Sequence, residues 1–317
     1  MVAPSSATFL RPDLGSAFSE FDLAAAAAGF VGLQVYTPFE SALQTANFSV
    51  IPVEQLLQQR ETLRAPGAGY SRGTYTFEQD NFVCQEHGAE DVVGDRERNI
   101  YQFSFDVERI AAERAVGFVL RQHEEQVADA IMDTAVISNT AATAVWSNNA
   151  NGRPVDDVIG ALNSIRTQSG LLGNCVVMDV SLFRHLQTSD QILDRIKYSG
   201  GNADPASVNE LALAAVFGVE KVIIAGGVKN TAAQGQAASL GAIYDGAKCF
   251  VGRISTGADL RDPCIGRTFL NTNDGAGSLV VEQYRDDARR ADIIRARLDF
   301  DVKTIYAAAG HIVTGCA

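Results

Sequence analysis

The sequence is poor in the residues that build metal centres and disulfide frameworks. Its 317 residues include five cysteines and four histidines, and no two cysteines have the spacing Cys-x-x-Cys. An odd number of scattered cysteines argues against a disulfide framework and against a zinc site. We therefore expect a protein of a reducing compartment such as the cytoplasm. The cysteines are Cys84, Cys175, Cys249, Cys264 and Cys316.

Long apolar runs and lysine are also scarce. No stretch approaches the ~20 consecutive apolar residues that cross a bilayer, and Met1–Gly15 lacks the basic leader and apolar run of a secretory signal. The chain has only five lysines and a formal net charge of −12. Because affinity for DNA comes mostly from cations that displace counterions from phosphate, this charge argues against a dedicated DNA reader. An acidic protein could still enclose DNA, because a container does not need to bind its contents tightly.

Motifs that would mark an enzyme are absent or incomplete in the sequence. Gly241–Lys248 comes nearest to a phosphate loop, but Ala247 separates the second glycine from the lysine, and Cys249 replaces the hydroxyl residue. We interpret the segment as two strands joined by a hairpin turn at Asp245-Gly246. There is also no HExxH, no GxSxG, and no GxGxxG after the strand-like VIIAGG. The sequence predicts neither a cofactor nor a metal.

Titratable side chains form no cluster in the sequence. His123 falls on the apolar face of a long predicted helix, where a hydrogen-bonded core histidine is a simpler interpretation than a ligand. Glu124 and Glu125 are adjacent, as are Asp286 and Asp287, so the members of each pair point to different sides of a helix or strand. We interpret these carboxylates as solvated charges. A site assembled from residues distant in sequence stays open, since spacing does not exclude it.

Asp106–Thr134 has the pattern of one long amphipathic helix. Apolar residues recur at spacings of three and four, with charged residues opposite. At 1.5 Å per residue the helix would be about 43 Å long, which suits a strut. The apolar face consists of Ala112, Val116, Val119, Leu120, His123, Val127 and Ile131, opposite Glu113, Arg114, Arg121, Glu124 and Glu125.

Arg64–Asp95 predicts an extended β-hairpin. Two strand-like runs, Gly73–Phe77 and Asn81–Gln85, flank a predicted turn at Gln79-Asp80. With about twelve residues on each side, the hairpin would project on the order of 40 Å. An isolated two-stranded hairpin is marginal in water, so this one needs a surface to lie on. The alternative is an ordinary surface loop.

The second half of the chain alternates predicted helices with predicted strands. One helix begins at Pro154 and ends before Gly170, and the buried strand Asn174–Asp179 follows. Further along, Gly218 ends a helix. Near the C-terminus, Ile294–Lys303 alternates apolar with charged residues, which indicates a half-buried strand with one wet face.

Two of these segments resemble the major capsid proteins of tailed phages, the Hong Kong-type capsid fold that encapsulins share. Asp190–Ser239 contains ILDRIKYSGG, ELALAAVFG, VEKVIIAGG and a polar, alanine-rich loop, in the order of that family's axial domain. Residues 64–98 contain RAPG-x-GY-x-R and E-x-G-x-E-x-x-x-x-DRE, which are similar to its extended loop. The resemblance runs from roughly Phe48 to the C-terminus.

This resemblance implies an α+β protein with the phage major capsid fold. The final strand, within His311–Gly315, is expected to close the same sheet as Ile294–Lys303. The expected parts are an N-terminal arm (1–50), an extended loop and its base (51–100), a peripheral domain with a long spine helix (101–150), an axial domain (151–285) and return strands of the peripheral domain (286–317).

The function implied by the resemblance is structural and involves no enzyme activity. The chain would assemble with itself, as hexamers and pentamers, into an icosahedral shell around double-stranded DNA. Portal and scaffolding proteins are expected partners, and a decoration protein is a further candidate; the location would be the virion, and the host cytoplasm during assembly. One alternative is an encapsulin-type nanocompartment. Another is an α/β enzyme, which explains neither the hairpin nor the long helix.

No long charged helical segment precedes the capsid-like region, so we expect a separate scaffold or a chain already cut.

The resemblance also places candidate subunit contacts in two loops. The candidates in the extended loop are Arg64, Tyr70, Arg72, Tyr75, Phe77 and Phe82, and those in the axial loop are Lys229, Asn230, Gln234 and Gln236.

The first prediction concerns covalent cross-links. Some family members join neighbouring subunits by an isopeptide bond from a hairpin lysine, but no lysine lies between Glu61 and Asn99, and guanidinium is a poor nucleophile. We expect contacts held mainly by aromatic burial, because exposed ion pairs contribute only ~0.2–1 kcal/mol each. Mature particles boiled in detergent with reductant should give a single band near 33.8 kDa. A ladder of covalent oligomers would contradict this.

Overall fold

The protein is described by a computed structural model for residues 9–10, 29–50, 52, 55, 57–60, 62–67, 69–74, 76–101, 106–197, 208–233, 235–257, 259–272 and 279–317. Tyr75 and Gln234 lie outside these residues. The helices are α1 (Gly32–Val35), α2 (Asp95–Tyr101), α3 (Val107–Met132), α4 (Pro154–Ser169), α5 (Val180–Gln187), α6 (Asp190–Lys197) and α7 (Glu210–Phe217).

Fifteen strands of the described residues form two larger sheets and two short ribbons. They are β1 (Phe9–Leu10), β2 (Pro38–Ser41), β3 (Thr45–Val50), β4 (Glu78–Val83), β5 (Gln85–Gly94), β6 (Asn139–Ala141), β7 (Cys175–Asp179), β8 (Lys221–Ala225), β9 (Val228–Asn230), β10 (Leu240–Ala242), β11 (Lys248–Gly252), β12 (Gly266–Asn271), β13 (Leu279–Asp286), β14 (Ala291–Thr304) and β15 (Gly310–Thr314).

The long strand β14 organises the first sheet. Strand β5 pairs with residues 291–300 along one edge of β14, and β13 and β12 pair in succession with residues 291–298 and 300–304 along the other. Strand β1 lies outside β13, and β2 lies parallel to β12. The predicted alternation of β14 is confirmed, because Ile294, Ala296 and Leu298 are buried while the residues between them are partly exposed.

Helix α3 lies on this sheet and confirms the predicted long helix. It begins at the N-cap Asp106, whose side chain accepts hydrogen bonds from the backbone N–H groups of Glu108 and Arg109. Its first half packs Ala112, Val116 and other small residues against the buried face of β14. His123 is the predicted core histidine: it is buried, and its Nε2 lies 3.0 Å from Thr268 Oγ1. 

Glu124 corrects the sequence analysis. The prediction of a solvated charge is wrong for this residue, because its side chain is only 2% exposed. Its carboxylate accepts hydrogen bonds from two backbone N–H groups and one hydroxyl, and these replace the water that the interpretation assumed.

The second sheet has the order β6-β15-β11-β7-β8 and is covered on both faces. Helices α4 to α7 cover one face, where Val176 and Val251 are buried. The second half of α3 covers the other face, where Val177 and Phe250 are buried. This double cover explains why β7 is a continuous apolar run, since strands buried on both faces show no alternation. The predicted buried strand and the predicted end of the helix before Gly170 are both confirmed, and Gly170 has a left-handed conformation.

Strand β15 corrects the sequence analysis. It pairs antiparallel with β11 and parallel with β6, so the prediction that it closes the first sheet is wrong. The reason is that its successive side chains Ile312 and Val313 are buried on opposite faces, in different apolar clusters. Only a sheet covered on both sides can bury both.

Two further expectations are corrected by the strand pairing. The turn at Asp245-Gly246 exists, but β10 pairs with β9 whereas β11 pairs with β7 and β15, so the predicted hairpin is wrong. Within the expected arm, residues 29–50 are packed: Val35 and Tyr36 are fully buried, and β2 is hydrogen-bonded to β12. This part of the expected arm therefore consists of short elements joined to the body of the subunit.

Phe300 provides a test of the first core. Its ring stacks on His87 at 4.3 Å between centroids and meets the edge of His123 at 5.1 Å. Phe300→Ala should lower the free energy of unfolding by about 3–5 kcal/mol, because it leaves a cavity between the sheet and α3. Phe118→Ala on the exposed side of α3 is the control and should change it by at most ~0.5 kcal/mol. Denaturant unfolding of both variants measures the difference, and equal effects would contradict this packing.

His123 predicts a pH dependence of stability. Burial lowers the pKa of His123 from 6.5 to about 4, so the unfolded chain binds a proton more readily than the folded one. The stability that the neutral ring contributes is complete above about pH 6.5 and is lost as the pH falls toward 4, by up to ~3 kcal/mol. Unfolding of His123→Gln at several pH values should show a correspondingly shallower fall than the parent chain. Parallel curves would contradict the assignment.

Candidate subunit-contact surfaces

The base of the extended hairpin is fixed to the subunit's own core. Strands β3 and β4 pair antiparallel, from Thr45 opposite Val83 to Val50 opposite Glu78. Phe82 lies on β4 and stacks on Phe269 of the first sheet, with 4.3 Å between ring centroids and an interplanar angle of 4°. Because Phe82 is only 4% exposed, its predicted contact with a neighbouring subunit is wrong. It anchors the hairpin instead.

Beyond β3 and β4 the two branches of the hairpin still face each other. The side-chain oxygen of Gln55 accepts a hydrogen bond from the backbone N–H of Thr76 at 2.8 Å. Further out, the Arg60 guanidinium lies directly against Gly73, where it occupies the space that a Cβ would take. These cross-branch contacts continue the alignment of β3 with β4 through side chains.

The apex of the hairpin lies at Pro66-Gly67. Gly67 has a φ of +83°, a conformation that favours glycine. Just before the apex, the Arg64 guanidinium lies over the ring of Tyr70, 4.5 Å from its centroid. Such a cation–π contact holds the two branches together at an exposed site.

This geometry corrects the predicted hairpin. Gln79 and Asp80 lie within β4 rather than in a turn, and Asp80 forms an ion pair with Lys303 at 2.8 Å. The described residues of Gly73–Phe77 form no strand. The partner of β4 is β3, which lies in the segment expected to be an arm, so the predicted hairpin was shifted along the chain.

The described part of the outer hairpin exposes aromatic and apolar side chains beside positive charge. Tyr70 is 74% exposed, Phe77 62% and Leu63 86%. Arg64 and Arg72 are also exposed, and residues 62–77 contain no acid and no lysine. Aromatic and arginine side chains are the types enriched where binding energy concentrates at interfaces.

The acidic strands next to the hairpin are largely neutralised within the subunit. Hydrogen bonds from Arg285 lower the pKa of Asp95 below its usual value. Three further ion pairs involve these strands: one joins β5 to β14, one joins β5 to α3, and one joins β13 to β14. These pairs are Glu90 with Arg295 at 2.6 Å, Asp91 with Arg114 at 3.3 Å, and Glu282 with Arg297 at 3.2 Å.

The axial loop forms a second, shorter hairpin from β9 and β10. Lys229 lies 3.7 Å from Glu125 of α3, and the side-chain oxygen of Asn230 accepts backbone hydrogen bonds from Ala232 and Ser239. These two candidate residues therefore shape and tether the loop. Gln236 is exposed.

A cleft of about 490 Å³ lies beside the base of the extended hairpin, between β3 and residues 259–263. The loop that forms one wall is held by Arg267, a fully buried arginine whose guanidinium donates to Gly257 O at 3.0 Å and to Ser255 Oγ at 2.8 Å. The sequence analysis missed Arg267, because an arginine inside a strand pattern gives no local sign of burial. The apolar lining consists of Phe48, Val50, Leu260, Pro263, Ile305 and Tyr306.

Lys248, which ends the segment that comes nearest to a phosphate loop, makes structural contacts. Lys248 donates to the carbonyl of Met132 at 3.2 Å and lies 3.3 Å from Asp245. Burial raises the pKa of Cys84 to about 11 and that of Cys175 to about 12, so neither is a thiolate at neutral pH. Across the described residues no group of His, Cys, Asp and Glu is arranged to hold a metal. No helix in that part of the chain is long and apolar enough to span a membrane.

Comparison with known proteins gives a likeness of fold. No family model and no curated protein matches the sequence. A phage-related protein from Bordetella bronchiseptica is similar in structure, with a TM-score of 0.69, 18% identity and 98% of each chain covered. The capsid of Myoviridae phage XM1 gives 0.55 at 10% identity, covering 90% of this chain and 92% of the other.

A third similar structure is a virus-like particle from Pyrococcus furiosus. It has a TM-score of 0.56 and 12% identity, with 93% of this chain and 99% of the other covered. These likenesses span nearly the whole chain. They show that the protein has the α+β fold of phage capsids, as the sequence resemblance implied.

Proposed function

We propose that this chain is the major capsid protein of a tailed phage, a structural subunit that assembles into an icosahedral shell around double-stranded DNA. The observation that carries the proposal is the capsid fold extending over 90% of the chain. The extended hairpin belongs to that fold and exposes Leu63, Tyr70 and Phe77 to solvent. A protein that worked as a monomer would have no use for such a surface.

The outer hairpin supplies the contact that assembly requires. Near its start, Leu57 lies against the main body at Gly170. In the proposal, the side chains near the apex bury themselves on a neighbouring subunit, with aromatic burial contributing more than the exposed ion pairs of Arg64 and Arg72. Contacts of ~4 kcal/mol each are only millimolar alone, but many of them together close a shell.

The finer features of the proposal follow the family resemblance. Hexamers and pentamers would be centred on the axial hairpin, with Lys229, Asn230, Gln234 and Gln236 near the contacts. The first sheet with α3 would form the peripheral domain and the second sheet the axial domain. This proposal places β12 and β13 in the peripheral domain, although the expected bounds of 151–285 put them in the axial domain. Portal, scaffolding and decoration proteins are proposed partners, with the virion as the final location and the host cytoplasm as the place of assembly.

Electron microscopy of the purified protein tests the proposal. Closed icosahedral particles or rings of five or six subunits are the expected result. A monodisperse monomer at every concentration tried would contradict it. The contents of isolated particles separate the alternatives, because a phage shell holds DNA whereas an encapsulin-type compartment holds a cargo enzyme.

The exposed side chains of the hairpin give a prediction for assembly. The double variant Leu63→Ala, Tyr70→Ala should fold like the parent chain, because both residues are exposed. Loss of about 2 kcal/mol or more at each contact should lower the assembled fraction at least tenfold at equal concentration, measured by sedimentation velocity.

Leu172→Ala is the matched control, since Leu172 is 68% exposed and lies outside the hairpin. The control should assemble normally. If the hairpin double variant and the control assemble equally well, the assigned role of the hairpin is wrong.

A further inference from the structure

Glu124 is a buried carboxylate in the middle of α3. Oε1 accepts hydrogen bonds from the backbone N–H of Val31 at 2.7 Å and from the Tyr244 hydroxyl at 2.9 Å, and Oε2 accepts one from the backbone N–H of Gly32 at 2.6 Å. These donors come from two segments far from α3 in the sequence. The carboxylate therefore joins three separate parts of the chain at one point.

This carboxylate lacks a counter-charge among the described residues. Asp292, a comparable buried acid, lies against Arg98 and Arg285, whereas Glu124 forms no ion pair in the same part of the chain. Burial raises the pKa of Glu124, and its three hydrogen bonds act in the opposite direction. A buried carboxylate is strongly unfavourable unless its oxygens are hydrogen-bonded. Its stability thus depends on all three donors being in place.

The position of Glu124 along α3 is where the helix passes from one core to the other. Residues 111–119 pack on the first sheet, and residues 127–132 pack on the second. Between them, His123 is hydrogen-bonded to Thr268 of the first sheet, while Glu124 is hydrogen-bonded to Tyr244 in the connection that leads into β11 of the second. This pair is a polar junction between two apolar clusters.

The segment of residues 29–32, called here the N-terminal segment, packs closely against the same junction. A Cβ at Gly32 would lie 2.6 Å from Glu124 Oε2 and 3.1 Å from His123 Cε1, so the backbone approaches the helix more closely than an alanine allows. Gly29 O accepts a hydrogen bond from Gly226 N, just after β8, at 3.0 Å. The segment therefore contacts α3 and the end of a second-sheet strand.

We propose that Glu124 is a positioning residue, a three-way latch that holds the N-terminal segment and the second sheet against α3 and so fixes the orientation of the two sheets. Hydrophobic packing alone tolerates small sliding and rotation, since it is non-directional. Three directed hydrogen bonds to one carboxylate admit a single arrangement. This latch acts within one subunit and does not rest on the proposed function.

Amide hydrogen exchange on the full chain tests the latch at the N-terminal segment. Glu124→Ala should speed exchange at Val31 and Gly32 by about tenfold or more, because both N–H groups lose their acceptor. Glu124→Gln can keep Oε1, with its bonds from Val31 and Tyr244, but it sets an NH₂ group against Gly32 N–H. Its effect should therefore be larger at Gly32 than at Val31. Unchanged exchange at both amides in Glu124→Ala would overturn the proposal.

A distance measurement tests the effect on the two sheets. Spin labels at Val92→Cys of the first sheet and Leu211→Cys beside the second use exposed positions, whereas the five native cysteines are buried. Tyr244→Phe removes only the bond toward the second sheet, so it should broaden the distance distribution while Val31 and Gly32 stay protected. If the distance distributions of Tyr244→Phe and Glu124→Ala were both as narrow as that of the parent chain, the positioning role would be overturned.

Glu125→Gln is the matched control, since Glu125 is the next residue on α3 and is paired with Lys229. It should leave exchange and label distances at their parent values; changes as large as those of Glu124→Gln would overturn the assignment to Glu124. All of these measurements apply to unassembled subunits. A parent chain that stays a monomer at every concentration would defeat the proposed function while the latch is still tested. Normal shells with freely exchanging amides in the parent chain would defeat the latch alone.

Discussion

The packing of one helix against two sheets is the constraint on which the rest of the structure depends. Helix α3 is 26 residues long, and it contributes its first half to the core of the first sheet and its second half to the core of the second. Each sheet gains a covered face from the same helix. Removing the helix would expose both cores at once, which is why its apolar stripe must continue through both halves.

The two sheets bury their apolar side chains in different ways, and the sequence patterns of their strands differ accordingly. The first sheet is covered by α3 and carries ion pairs such as Glu90 with Arg295 between its strands, so β14 alternates. The second sheet is covered on both faces, so β7 is apolar throughout. The extended hairpin is fixed at its base by the stacking of Phe82 on Phe269. A rigid base with an exposed, aromatic outer part suits a contact made with another molecule.

Local patterns predicted the elements whose cause is local. The periodicity of α3 and the alternation of β14 are patterns of neighbouring residues. Helices α4 and α7 each end at the glycine that directly follows them. The capsid fold itself was predicted through the resemblance of two segments. What the sequence could not show was pairing over long separations. Strand β4 pairs with β3 across the whole outer hairpin, and the turn-like pair Gln79-Asp80 drew the prediction to the wrong place.

Burial decided by distant partners was also beyond the sequence. Glu124 has the neighbours of a solvent-facing acid along its helix, and only Tyr244 and the Val31–Gly32 backbone make it a core residue. Arg267 is a similar case, with its acceptors in a loop that folds back over β12. Strand β15 belongs to the second sheet because that sheet is covered on both faces. This cover exists only in the folded chain. Such residues can be found only when the tertiary arrangement is known.

The central claim is that the extended hairpin works between molecules. A cryo-electron-microscopy reconstruction of assembled particles measures this most directly, because it shows which subunit lies beneath each apex. The account predicts that density for Pro66-Gly67, with Leu63 and Tyr70 beside it, lies on a neighbouring subunit. Particles in which that apex is folded against its own subunit, with the neighbours joined elsewhere, would contradict the account.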